Sequence, residues 1–70
     1  MLLKYKQEFI QYAAIFLNDG KYIPIEENIG EKIILIKLSN RKKTAQNVTF
    51  VNVLYRDKVG WVNENHVEQI

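Results

Sequence analysis

The chain has 70 residues, with ten Lys or Arg against eight Asp or Glu, one His and no Cys. That length holds one small domain; the missing cysteines exclude disulfides and thiolate metal sites, and a lone histidine excludes a His-based zinc site. A formal charge of +2 argues against an acidic nucleic-acid mimic and gives only a weak pull toward phosphate.

A domain of this size buries about 60% of the surface its unfolded chain exposes, so the core must come from close packing, helped by a homodimer if one forms. No segment approaches the roughly 20 apolar residues of a membrane span. Lys4, Lys6 and Glu8 interrupt the apolar stretch that a signal peptide needs. These features predict a soluble cytoplasmic protein with no membrane association. The Lys-, Asn- and Ile-rich usage without cysteine is a composition associated with bacterial or phage proteins.

Residues 1–8 admit two readings: Leu2, Leu3, Tyr5 and Phe9 line either a short helix or an extra strand. They are set apart as an N-terminal extension, with the domain proper at 9–70. Residues 9–17 are rich in apolar and aromatic side chains. Asn18, Asp19 and Gly20 then form a strong turn signal, because Asn and Gly tolerate positive φ. Residues 21–25 return extended, and Pro24, which cannot donate to a ladder, places them on a sheet edge or loop arm. Residues 26–30 read as a polar turn.

Residues 32–38 carry Ile33, Ile34, Leu35 and Ile36 in a row, and their β-branching after Gly30 favours strand over buried helix. Residues 39–47 read as a polar loop containing Arg41, Lys42 and Lys43. Residues 48–55 alternate, with Val51, Val53 and Tyr55 on one face and Phe50, Asn52 and Leu54 on the other. Residues 56–58 make a tight connection to a strand at 59–62. Residues 63–66 suit one 3₁₀ turn, and 67–70 close the sheet. Short strands at this spacing predict an all-β barrel or sandwich, with Ala14, Ile33, Leu35, Val51, Val53, Val62 and Val67 pointing inward.

The run Gly60-Trp61-Val62-Asn63-Glu64-Asn65-His66-Val67 resembles the Gly-aromatic-apolar-Pro-x-Asn-Tyr-Val run that ends an SH3 domain. The likeness extends upstream. Ala14-Ile15-Phe16 looks like the start of the family's Ala-Leu-Tyr-Asp-Tyr strand, residues 18–27 like its RT loop, and Gly30 to Ile36 like its Gly-Asp-x-Leu-x-Val strand. Residues 39–47 then stand for the n-Src loop and 56–58 for the distal turn. The resemblance implies a five-stranded SH3-like barrel and no catalysis.

Family members bind proline-rich peptides in an aromatic groove. By position, Phe16 matches the first groove tyrosine, Phe50 the groove tryptophan and Asn65 the groove asparagine. Asn18 replaces the second tyrosine, Asn63 the proline and His66 the last tyrosine, so stacking surface is lost and the fold carries over better than the ligand.

Ser39, Thr44 and Thr49 with the single His66 offer no nucleophile–base–orienter set. Glu26, Glu27 and Glu31 match no calcium loop. No enzyme, cofactor or metal is expected. The first functional expectation is a protein-binding module, a modulator of a partner protein, acting through Phe16, Phe50, Trp61, Asn65 and His66 beside an acidic loop of Asp19, Glu26 and Glu27, which suits a Lys/Arg-rich partner. The alternative is a small nucleic-acid-binding barrel in which Arg41, Lys42 and Lys43 contact phosphate and Phe50 stacks a base. A third reading is a structural homodimer formed through exposed strand edges.

Overall fold

A computed structural model of the chain describes residues 1–25 and 33–70. They form one antiparallel sheet in the order β3-β2-β6-β5-β4-β1-β7. The strands are β1 (Leu2–Tyr5), β2 (Ala14–Phe16), β3 (Tyr22–Pro24), β4 (Ile34–Ala45), β5 (Val48–Tyr55), β6 (Lys58–Asn63) and β7 (Val67–Gln69). Two 3₁₀ helices, Gln7–Tyr12 and Glu64–His66, complete the described elements. No helix among the described residues is long and apolar enough to cross a membrane.

The all-β expectation holds, with seven strands in place of five. Of the two readings left open for the N-terminus, the strand is the one observed. β1 lies between β4 and β7, pairing Leu3 with Leu35 on one side and with Gln69 on the other. Leu3 and Tyr5 are buried in the core. The apolar run at 9–17 is not continuous: residues 7–12 wind into 3₁₀ turns, and only 14–16 are strand.

The loop expected at 39–47 is mostly strand. β4 runs to Ala45 and is interrupted where its register against β5 jumps. Lys37 pairs with Val53 and Lys42 with Val51, so residues 38–41 stand opposite Asn52 alone. An insertion of this kind bends the strand that carries it. Beyond it, β4 and β5 continue as a two-stranded ribbon that closes between Ala45 and Val48. Gln46 and Asn47 have φ of 51° and 65°, the left-handed pair that a two-residue type I′ hairpin requires.

The expected turns at 18–20 and 56–58 stand, and the one expected at 26–30 lies outside the described residues. β2 and β3 form a hairpin around residues 17–21, and Pro24 sits on β3 at the end of the strand order. β5 and β6 pair from Phe50↔Asn63 to Tyr55↔Lys58. The second 3₁₀ helix enters through Asn63, whose side chain accepts from the Asn65 N–H.

All seven residues expected inside are buried, and Leu3, Tyr5, Ala13 and Ile15 join them. Leu35, Val53 and Val62 are fully enclosed. Among the described residues, Tyr5 is the only buried one with a polar tip. Its Oη donates to Ala14 O at 3.1 Å and accepts from Ala14 N at 3.3 Å, tying β1 to β2 through the core. On the opposite face, Leu2, Ile36, Leu54 and Val59 stand side by side across four adjacent strands. Leu2, Ile36 and Val59 are exposed there.

Candidate functional site

A strand pair places side chains that face each other across the ladder on the same side of the sheet. Phe16 on β2 pairs with Trp61 on β6, Asn63 on β6 with Phe50 on β5, and Phe50 with Lys43 on β4. Phe16, Phe50, Trp61 and Lys43 therefore gather on the face away from the core. They line a cleft of about 170 Å³ together with Leu17, Gly20, Lys21 and Ala45.

β2 reaches this position because Gly60 precedes Trp61. A Cβ at residue 60 would overlap Ile15 Cγ2 and come within 2.6 Å of Phe16 O. The missing side chain lets β2 lie directly on β6, and the same contact sets Phe16 beside Trp61. Asn52, opposite Trp61, donates from Nδ2 to Gly60 O at 3.1 Å.

The aromatic groups are held by several contacts. Trp61 Nε1 donates to Asn18 Oδ1 at 2.8 Å. Phe16 meets Phe50 edge-on, with ring centroids 5.5 Å apart, and Tyr22 at 5.9 Å. The Lys43 ammonium lies 5.9 Å from the Trp61 ring centroid, within cation–π range. Asn18, which the resemblance marks only as a lost tyrosine, is the residue that fixes the indole. Nothing in the local sequence signals this, because its partner is 43 residues away.

The remaining expected binding residues lie elsewhere. Asp19 turns back on its own hairpin, where Oδ1 accepts from the Lys21 N–H at 3.0 Å. Asn65 is exposed on the second 3₁₀ helix and does not line the cleft. His66 belongs to a separate cluster: it stacks on Phe9 with centroids 4.3 Å apart and planes 16° apart, and Tyr12 stands 6.5 Å away. Asn63 Nδ2 lies 3.3 Å from His66 Nε2. Donation to that nitrogen requires the neutral ring, and burial, aided by the nearby Lys6 charge, holds the imidazole below its ordinary pKa. Glu26 and Glu27 lie outside the described residues.

The basic trio does not form one patch. Lys43 faces the cleft, whereas Lys42 pairs with Val51 on the opposite face of the ribbon and meets Glu64 Oε1 at 2.8 Å. Arg41 lies in the irregular stretch of β4, its N–H bonded to Ser39 Oγ at 3.2 Å. Among the described residues, no group of three His, Cys, Asp or Glu side chains is placed to hold a metal ion.

Comparison of the chain with protein-family models, with curated proteins and with solved structures finds no match in any of the three.

Proposed function

We propose that this chain is a non-catalytic SH3-like barrel module that binds a segment of a partner protein in the Phe16–Phe50–Trp61 cleft. The barrel reading is supported by the sharply interrupted β4, the tight β5–β6 hairpin and the 3₁₀ helix leading into the last strand. The binding reading rests on one observation. Three aromatic rings from three separate strands converge on the outer face, where core packing does not require them, and the indole among them is oriented by Asn18. Rigid aromatic groups that keep a wet polar edge are what protein-binding surfaces use as anchors.

The runner-up is single-stranded nucleic acid, favoured by Lys21 and Lys43 at the rim of the same cleft. The separation of Lys42 from Lys43 across the ribbon weighs against it, since backbone recognition relies on a continuous basic track.

A tagged pull-down from a source-organism lysate, with and without nuclease, separates the two. The proposal expects a protein that survives nuclease and is lost on Trp61→Ala or Phe50→Ala, with both variants folded by circular dichroism. Recovery of nucleic acid instead, lost on neutralising Lys21 and Lys43 and falling steeply with salt, would replace it with the runner-up.

A further inference from the structure

We infer that the segment held by the cleft is acidic: a short peptide that sets one large apolar side chain among Phe16, Phe50 and Trp61 and carries Asp or Glu beside it. The inference rests on the binding-module reading above and specifies the partner's chemistry.

Size comes first. The cleft measures about 170 Å³, whereas small-molecule sites occupy roughly 300–1,000 Å³. It suits one side chain of a longer ligand, and its lining is chiefly aromatic and aliphatic, so that side chain is apolar.

Charge comes second. Among the described residues, the charged side chains lining the cleft are Lys21 and Lys43. The carboxylate closest in sequence, Asp19, is not among the lining residues and turns its Oδ1 back to the Lys21 backbone N–H. Glu64, the acid nearest along the β6 end, is paired with Lys42 on the other face. A Lys- or Arg-rich ligand, which the SH3 resemblance favours, would bring cation against cation at this rim. An acidic ligand meets complementary charge, and rim complementarity of this sort acts on the association rate and on partner choice.

Pre-organisation comes third. Lys43 is drawn over the indole, so part of the entropy that a long cationic side chain loses on pairing is already spent. An incoming carboxylate finds the ammonium in place next to the apolar pocket. Among the described residues two cations line the cleft, which is too few for a phosphate backbone but enough for one or two carboxylates.

The test is a selection from a displayed library of nonapeptides randomised around a central Phe, Leu or Trp, followed by titration of the enriched peptides and of a dT15 oligonucleotide. Two readouts are followed: ligand fluorescence anisotropy and the Trp61 indole N–H resonance. The expected result is enrichment of Asp and Glu, movement of the Trp61 signal, and binding at least about tenfold weaker for the double variant Lys21→Glu/Lys43→Glu, which in turn prefers Lys/Arg-flanked peptides. Enrichment of Lys and Arg by the unaltered protein would overturn the charge inference while leaving the cleft as the site. Tighter binding of dT15 than of any selected peptide would overturn the peptide assignment. If no enriched peptide moves the Trp61 signal, the binding-module reading fails as well.

Discussion

Trp61 and Asn18 are joined by a 2.8 Å hydrogen bond from the indole Nε1 to the amide Oδ1, linking β6 to the turn of the β2–β3 hairpin. The bond is exposed, so its net contribution to stability is modest, about 0.5–1.5 kcal/mol. Its larger effect is on where the indole stands. Asn18→Ala should leave the fold intact and the melting temperature nearly unchanged. It should broaden or shift the Trp61 indole N–H resonance and weaken ligand binding several-fold. An unchanged indole signal would show that the ring is held by packing alone.

Gly60 is the second point where one atom decides the geometry. Gly60→Ala places a methyl group against Ile15 and the Phe16 carbonyl, at a position where neither neighbour can withdraw without moving β2. Overpacking of this kind costs about 1–3 kcal/mol, a large share for a small domain. Chemical denaturation should show that loss. Amide exchange should show it concentrated in β2 and β3.

Neighbours on β4 provide a matched control. Leu35 is 0% exposed and Ile36 is 44% exposed, although both sit in one apolar run. Leu35→Ala should cost about 2–5 kcal/mol, and Ile36→Ser should stay within about 0.5 kcal/mol. Equal effects from the two would mean that the strand faces are assigned the wrong way round.

Two groups give opposite pH signatures. Burial raises the Tyr5 phenol above its ordinary pKa of about 10, against the lowering effect of its bond to Ala14. The folded state holds that proton longer than the unfolded chain. The stability Tyr5 contributes is therefore complete below pH 10 and is lost as pH rises through the folded value. Tyr5→Phe should remove this alkaline sensitivity and cost about 1–3 kcal/mol near neutrality, because it strands the Ala14 peptide groups. His66 runs the other way. Its folded pKa lies below the ordinary histidine value, through burial first and Lys6 second, so its contribution is complete above about pH 6.5 and is lost as pH falls through the folded value. An NMR titration of the imidazole, with His66→Phe as the pH-insensitive control in denaturation, checks both statements.

Much of this architecture is legible in the sequence where one face of a strand is buried. Ile33, Leu35, Val51, Val53 and Val62 announce themselves by alternation, and Asn18 to Gly20 and Pro24 by backbone chemistry. The second half of β4 is not legible for a physical reason. From Asn40 to Asn47 every residue is exposed, so a projecting ribbon has no inward face to impose a period, and its polarity reads as a loop. Residues 7–12 mislead in the opposite sense, because Phe9, Ile10 and Tyr12 look strand-like while the chain turns through 3₁₀ geometry. At the cleft, Phe16, Phe50 and Trp61 come together on the outer face by strand pairing. The roles of Asn18, Lys21 and Lys43 depend on long-range pairing, and His66 is drawn into a second cluster by Phe9, which the SH3 resemblance does not include.

A chemical-shift map of the ¹⁵N-labelled protein with a bound partner segment tests directly whether the Phe16–Phe50–Trp61 cleft is the binding site. The largest perturbations are expected on the Trp61 indole N–H and on the backbones of Phe16, Lys21, Lys43 and Phe50. Perturbations centred instead on the outer row of Leu2, Ile36, Leu54 and Val59, with the indole signal unmoved, would contradict that assignment.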